Sequence, residues 1–195
     1  MTKSRKDTKN RILQASWALM EQRLGKVISM SAIAKEAGIS RQAVYIHFES
    51  RTELMIATLN YVDEVKGLDE RFNQFREAKT GLAQLDACVE VWGNYIPEIY
   101  SLAKALLVTR ETDEAMAAAW NNSMGCLRAI CQQTIQTLHT EGKLDSTWQQ
   151  EQAVEMFWTM ISIQNWEQLT VECGWTTEQY IDKTKLLLKK SLLVG

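Results

Sequence analysis

The chain has 195 residues, of which 46% are hydrophobic and 24% are charged, and this is enough material for one or two buried cores. Nine glycines and one proline are too few for a disordered chain or a turn-rich β-sandwich. No apolar run approaches the roughly 18–20 residues that span a bilayer, and residues 1–6 lack the apolar stretch of a signal peptide. We therefore expect a cytoplasmic protein with no membrane partner.

Positive charge is concentrated at one end of the chain. Residues 1–50 carry nine Lys and Arg against four Asp and Glu, whereas the remainder carries thirteen against twenty. The formal net charge of −2 hides this asymmetry. The distribution indicates a small basic module that meets a polyanion, joined to a larger acidic body that does not.

Apolar residues recur at helical spacing nearly everywhere, and the strict alternation typical of strands is absent. The sequence therefore predicts an all-α protein of about nine helices. They fall over about residues 8–23, 30–37, 41–48, 51 to past 65, 82–96, 97–108, 113–139, 148–173 and 177–192, and the weakly periodic segment from residue 67 to residue 81 is interpreted as the end of the fourth helix and a connection. Leu24, Gly25 and Lys26 are expected to end the first helix, and Pro97 to separate the fifth from the sixth.

Several helix starts carry capping residues. Ser29 and Ser40 are placed to cap two short helices, which Gly38 separates as a left-handed stop. Ser50 and Glu53 fit a capping box at the start of a longer helix. Thr176 or Thr177 is expected to cap the last helix. Two short helices that meet at a three-residue turn containing glycine have the spacing of a helix-turn-helix, over about residues 29–48.

The second short helix has residue types that suit the major groove of DNA. Its apolar residues close a small core, which leaves Arg41, Gln42, Ala43, Tyr45 and His47 for the other face. Arginine can bridge guanine O6 and N7, glutamine can bridge adenine N6 and N7, and a small alanine fits beside a thymine methyl group. Tyrosine and histidine can donate to phosphate oxygens.

Further basic residues are candidates for contacts to the DNA backbone. Arg51 lies at the start of the next helix, where free N–H groups also favour a phosphate. Lys3, Arg5, Lys6 and Lys9 are expected to form a basic arm along the backbone or a minor groove. Alternatively, Tyr45 and His47 only pack and the basic residues form a solvated face.

Residues 8–60 resemble the DNA-binding region of TetR-family transcriptional regulators. The matching stretches are Ile12-Leu13-Gln14-Ala15-Ser16, Ile33-Ala34-Lys35-Glu36-Ala37-Gly38-Ile39-Ser40, Val44-Tyr45-Ile46-His47-Phe48 and Ser50-Arg51-Thr52-Glu53-Leu54. Ser16 replaces the family's usual second alanine, and Gln42 with Ala43 replaces a common Gly-Thr pair. The second change alters base contacts, so no relative's operator sequence can be transferred to this chain.

The resemblance implies a three-helix DNA-binding domain over residues 1–66 and a helical ligand-binding and dimerisation domain over residues 67–195. It also implies a homodimer that binds double-stranded operator DNA, and a repressor that a small apolar or aromatic effector releases. The predicted DNA-contacting residues are Ser29, Ser40, Arg41, Gln42, Ala43, Tyr45, His47 and Arg51.

Aromatic residues are the main candidates for an effector site, since six of the seven tryptophans lie after residue 67. The proposed cavity lining is Trp92, Tyr95, Trp120, Met124, Phe157, Trp158 and Ile161. These rings could instead simply fill the core. The last two helices have apolar residues on more than one face, which favours a four-helix dimer interface. Its candidates are Ile161, Ser162, Asn165, Leu169, Tyr180 and Leu187.

Other classes of function have less support. No phosphate loop, nucleophile elbow or carboxylate–histidine cluster appears, so we expect no enzyme, no cofactor and no metal site. Cys88, Cys126, Cys131 and Cys173 are interpreted as small buried hydrophobes, with a thiol sensor as the alternative. The competing function is a helical bundle that binds ligands or proteins and has nonselective affinity for phosphate.

Overall fold

Helices form most of the computed structural model, which describes residues 3–23 and 26–194. In chain order they are α1 (Lys3–Gln22), α2 (Met30–Glu36), α3 (Arg41–Tyr45), α4 (Arg51–Val65), α5 (Leu68–Arg71), α6 (Asn73–Glu77), α7 (Gly81–Thr109), α8 (Glu114–Thr140), α9 (Gln150–Met160), α10 (Ile163–Glu167) and α11 (Thr177–Leu192). A π-helical turn, Gln168–Glu172, follows α10. The described residues contain no strand beyond an isolated bridge between Leu144 and Leu193. The all-α prediction is confirmed.

The chain divides into two compact units. The first contains residues 1–67 and 101–124, and the second contains residues 68–100 and 125–195. The sequence analysis placed one boundary near residue 66 and did not assign residues 101–124 to the N-terminal module. These residues form the last turns of α7 and the first turns of α8, together with the connection between them.

The first unit encloses a core that all four N-terminal helices share. Its fully buried side chains are Ile12, Leu19, Met20, Ile28, Ile33, Val44, Phe48, Leu54 and Met55. Ser16, an alanine in the family pattern, is also buried, and its hydroxyl lies 2.9 Å from that of Thr58. Thr58 Oγ1 also donates to the Leu54 carbonyl at 2.7 Å. The buried hydroxyl that serine introduces at position 16 therefore has Thr58 as its hydrogen-bonding partner.

The second unit has its own core, centred on α7, α8, α9 and α11. Leu85, Cys88, Tyr95, Cys131, Leu138, Phe157, Ile161, Tyr180 and Leu188 are all buried there. Trp92 Nε1 donates to the Ile161 carbonyl at 2.8 Å, which satisfies one buried indole. Thr176 closes the start of α11 with a capping box that Gln179 completes.

Three predicted boundaries are wrong. Pro97 lies inside a continuous α7, because proline removes only the N–H that would bond to the Gly93 carbonyl, and the apolar face continues on both sides. The single helix predicted over residues 148–173 is interrupted where Ser162 is extended and accepts from Asn165 N at 3.2 Å. The segment after residue 67, interpreted as the end of the fourth helix and a connection, contains the separate short helices α5 and α6.

The first helix also differs from its prediction. It begins at Lys3, about five residues before the expected start, and ends at Gln22. Leu24 and Gly25, which were expected to end it, lie outside the described residues. None of the helices within residues 3–23 and 26–194 combines the length and apolar character that crossing a bilayer requires.

Two glycines in the second unit give a matched test of this packing. A Cβ on Gly93 would lie 2.5 Å from Ile181 Cγ1, whereas a Cβ on Gly125 would meet nothing within 4 Å. We expect Gly93→Ala to lower the free energy of unfolding by about 1–3 kcal/mol, because Ile181 is buried and must shift. Gly125→Ala should raise it by up to about 1 kcal/mol through helix propensity. Chemical denaturation measures both values, and equal effects would contradict the close approach of α7 and α11.

Candidate nucleic-acid interface

The turn between α2 and α3 is fixed by local hydrogen bonds. Ser29 Oγ accepts from Ala32 N at 3.1 Å, and Ser40 Oγ accepts from Ala43 N at the same distance. Gly38 has a φ of 64°, a conformation that glycine adopts without strain. The hydroxyls of Ser29 and Ser40 are therefore helix caps, whatever else they contact.

One arginine that the sequence analysis missed supports this turn. Arg11 Nη2, on α1, donates to the Ala37 carbonyl at 2.6 Å, at the end of α2. Charged donors at helix C-termini stabilise the last carbonyl groups. A basic residue on the third turn of the first helix was the available signal, but its partner lies 26 residues away.

The two faces of α3 differ in the way that was predicted. Val44 and, just after the helix, Phe48 are buried in the first unit. Arg41 and Gln42 are exposed, Tyr45 is 41% exposed, and Ala43 and His47 are half-buried. The structure therefore places these five side chains together at one surface of the first unit, with Ser40 at the start of the row.

Arg41 and Tyr45 contact each other across one helical turn. Arg41 Nη2 donates to Tyr45 Oη at 3.3 Å, and the guanidinium carbon lies 5.5 Å from the centre of the ring. This geometry combines a hydrogen bond with a cation–π interaction. The guanidinium of Arg41 on the exposed face of α3 is therefore held by Tyr45 rather than free to rotate.

His47 lies beside basic residues of α1. Burial lowers the pKa of His47 below its ordinary value of 6.5, and the positive charges of Arg5 and then Lys9 lower it further. Lys9 Nζ also lies 5.5 Å from the centre of the Phe48 ring. At neutral pH the imidazole is therefore uncharged, and its free N–H can still donate to a phosphate oxygen.

The predicted basic arm is not an extended arm. The backbone from Lys3 onward is helical, so Lys3, Arg5, Lys6 and Lys9 belong to the first two turns of α1. Arg5, Lys6 and Lys9 are exposed there. A helix of this diameter does not enter a minor groove as an arm does, so the contact that these residues can make is to the backbone phosphates.

Arg51 requires a larger correction. It was expected to contact phosphate, but its guanidinium forms an ion pair with Asp113 and its Nε donates to the Ile28 carbonyl at 2.6 Å. The arginine side chain is 25% exposed and the aspartate side chain 1%. Arg51 is therefore a structural residue that joins the start of α4 to the chain before α2, through bonds of its Nε and Nη2 to buried acceptors.

Asp113 has a second role at the same position. Its Oδ1 accepts from Ala115 N at 3.1 Å and from Met116 N at 3.2 Å, which caps the start of α8. One buried carboxylate thus satisfies both a guanidinium and two helix N–H groups. The pairing could not be read from the sequence, because 62 residues separate the partners.

The predicted effector residues lie in both units. Trp120 and Met124 are buried in the first, where Arg110 lies 5.4 Å from the centre of the Trp120 ring. Trp92, Tyr95, Phe157 and Ile161 are buried in the second, and Trp158 is half-buried there. Trp92 packs on Tyr95 with ring centres 5.9 Å apart. The structure therefore divides the predicted set between the two units.

The predicted dimer residues are also corrected by their burial. Ile161 and Tyr180 lie in the core of the second unit and have no surface to offer a partner. Ser162 and Asn165 close the break between α9 and α10, since Asn165 Nδ2 also donates to the Thr159 carbonyl at 2.7 Å. Leu187 is 49% exposed and Leu169 half-buried. Further exposed apolar side chains of the second unit are Met156, Val171 and Leu186.

Only two of the four cysteines match their interpretation. Cys88 and Cys131 are buried, but Cys126 and Cys173 are exposed. Burial raises the pKa of the Cys131 thiol well above its ordinary value, and a hydrogen bond with Cys88 raises it further. Cys131 is therefore protonated at neutral pH and unreactive as a thiolate.

Two substitutions separate the roles of Asp113. Asp113→Ala removes the cap and leaves Arg51 without its buried partner, so we expect a loss of about 2–4 kcal/mol in the free energy of unfolding. Asp113→Asn keeps an acceptor for the helix N–H groups and should lose less. Asp69→Ala, which breaks an exposed ion pair with Arg76, should cost at most about 1 kcal/mol. Equal losses in denaturation for Asp113→Ala and Asp69→Ala would contradict the assignment.

Comparison with known proteins agrees with this geometry. Residues 12–58 match the family model described as bacterial regulatory proteins, tetR family. The nucleoid occlusion factor SlmA of Marinomonas sp. (strain MWYL1) is 29% identical over 90 residues, which cover 46% of this chain and 45% of that relative. The match therefore spans less than half the length of the curated relative.

Two solved structures share the fold over nearly the whole chain. The transcriptional regulator FadR from Bacillus subtilis, solved in complex with stearoyl-CoA, superposes with a TM-score of 0.73 at 13% identity, covering 91% of this chain and 96% of that one. NalD from Pseudomonas aeruginosa, the secondary repressor of the MexAB-OprM multidrug efflux pump, gives 0.72 at 18% identity, covering 98% of both chains. The helix-turn-helix module over residues 12–58 therefore matches the tetR family of bacterial regulatory proteins, and the all-α fold of the chain is like that of FadR and NalD.

Proposed function

We propose that this protein is a sequence-specific DNA-binding transcriptional regulator that acts as a repressor. The observation that carries the proposal is the surface of α3. Arg41, Gln42 and Tyr45 are exposed on a helix whose other face, through Val44, is locked into the first unit. A rigidly held helix with exposed planar hydrogen-bonding groups is the arrangement that reads base edges in the major groove.

The contacts fall into two classes. Arg41, Gln42 and Ala43 are proposed to contact base edges, where the arginine selects guanine and the glutamine selects adenine. Tyr45, His47, Lys3, Arg5, Lys6 and Lys9 are proposed to contact phosphates, which position the protein without selecting a sequence. Arg51 is assigned to neither class, because its Nε is bonded to the Ile28 carbonyl and its charge is paired with the buried carboxylate of Asp113.

The second unit is proposed to form the dimer and to hold the effector. One helix-turn-helix reads only one half-site, so a two-fold dimer provides the affinity that an operator requires. Exposed Leu186, Leu187 and Met156 support an apolar interface on α9 and α11. The proposed effector is apolar or aromatic, and the stearoyl-CoA bound to the FadR structure is consistent with this class.

Release by the effector is proposed to act through α8. This helix begins beside Asp113, which is bonded to Arg51 at the start of α4, and it continues to Thr140 in the second unit. An effector can lower DNA affinity only by binding the two conformations of the dimer unequally. A displacement of α8 that moves Asp113 would also move Arg51, and with it the end of α4 nearest to α3.

Selective binding is tested with duplexes randomised over about 30 base pairs, enough for two half-sites one helical turn apart. We expect the wild-type protein to enrich a two-fold symmetric sequence, and Gln42→Ala to lose about 5- to 150-fold in preference for adenine at one position of each half-site. Gln132→Ala, an exposed change on α8, is the matched control and should alter no preference.

The alternative, nonselective phosphate binding, makes a different prediction for the same experiment. It expects wild-type protein to retard all duplexes equally, with a steep salt dependence and no enriched sequence. That outcome would refute the proposed function.

The dimer is tested by a charge at its proposed interface. Leu187→Glu should raise the dissociation constant of the dimer by at least about 100-fold, because the carboxylate would be buried without a partner in both protomers. Gln132→Glu introduces the same group on the exposed face of α8 and should have no effect. Analytical ultracentrifugation measures both, and a wild-type protein that is monomeric at micromolar concentration would contradict the interface.

A further inference from the structure

The Arg41–Tyr45 contact exists in the protein without any partner. Both side chains are exposed, and neither is needed to fill the core, since Val44 and Phe48 occupy it. The hydroxyl of Tyr45 accepts from Arg41 Nη2 at 3.3 Å, and the ring lies beneath the guanidinium. Positions i and i+4 of a helix lie on one face, so the contact needs no distortion of α3.

We infer that Tyr45 is a positioning residue, which holds the Arg41 guanidinium ready for a guanine in the major groove. The inference rests on the proposed function and deepens it: the base preference at one operator position depends on a residue that does not itself touch the base. In the sequence analysis Tyr45 was a phosphate donor that acts independently of Arg41.

The hydrogen-bonding capacity of both groups permits this double role. The guanidinium has five N–H donors in a planar fork, and the bond to Tyr45 uses one of them. The remaining donors can bridge guanine O6 and N7. Because the Tyr45 oxygen acts as acceptor, its own proton is available for a phosphate oxygen. The base contact and the backbone contact are thereby linked through one hydrogen bond.

Positioning has an energetic consequence. An arginine that binds a base loses rotamer freedom, and a residue that restrains it beforehand removes part of this cost. Restraint of one such side chain corresponds to about a 2- to 10-fold change in binding. The change is specific for the base that Arg41 contacts, whereas loss of a phosphate contact weakens binding to all sequences alike.

The experiment measures base preferences of the full-length protein on the randomised duplex library. Tyr45→Phe keeps the ring beneath the guanidinium and removes the hydroxyl, and Tyr45→Leu removes both. We expect the guanine preference at one position to fall about 2- to 10-fold in the first variant and further in the second, with the other positions unchanged. Tyr61→Phe removes another hydroxyl of the first unit, which Gln14 contacts at 3.0 Å, and should change no preference.

Arg41→Ala completes the cycle. It should abolish the same guanine preference, and Tyr45→Phe should have no further effect on preference in that background. Uniformly weaker binding of Tyr45→Phe and Tyr45→Leu with unchanged preferences would overturn the inference and leave Tyr45 a phosphate donor only. Additive effects of the two substitutions would overturn it as well. A wild-type protein that enriches no sequence would refute the proposed function itself.

Discussion

The buried carboxylate of Asp113 connects three parts of the first unit. It pairs with Arg51 at the start of α4, it caps α8, and through Arg51 it is linked to the Ile28 carbonyl before α2. A carboxylate with 1% exposure is stable only when charge and hydrogen bonds replace its lost hydration. The charge comes from Arg51 on α4, and the hydrogen bonds come from the guanidinium and from the backbone N–H groups at the start of α8. The positions of the start of α4 and the start of α8 therefore depend on each other.

This dependence explains why residues 101–124 belong to the first unit although the sequence places them far from the helix-turn-helix. Without the segment that ends α7 and begins α8, Arg51 would be a half-exposed cation next to a carbonyl group. With that segment, the start of α4 is held from two sides. The surface of α3 is then presented by a scaffold in which α1 contributes Arg11, α2 contributes the Ser29 cap and α4 contributes Arg51.

Sequence reasoning succeeded where the determining interactions are local. The caps at Ser29, Ser40 and Ser50 and the left-handed Gly38 lie within four residues of their partners. The division of α3 into a buried and an exposed face follows from helical periodicity alone. Even at Ser50 the local pattern was only half right, since Glu53 accepts from Glu49 N rather than completing the capping box.

The errors arise from nonlocal contacts. Arg51 was placed on phosphate because its own neighbourhood resembles a helix start, and only the fold reveals an aspartate 62 residues away. Ile161 and Tyr180 have the spacing of an interface face, but both side chains are buried in the core of the second unit. Proline in a helix interior usually ends or kinks the helix, yet α7 continues through Pro97 because its packing outweighs the loss of one hydrogen bond.

The basic residues Arg5 and Lys9 lie beside His47 near α3, and this grouping of positive charge is electrostatically unfavourable in the free protein. Arg5 and Lys9 lie close enough to His47 to disfavour its protonation, and like charges gathered in this way repel each other. Lys9 lies over an aromatic ring, which offsets only part of that repulsion. A polyanion removes the repulsion and turns all three groups into favourable contacts. The surface at which Arg5 and Lys9 lie beside His47 is therefore electrostatically suited to phosphate.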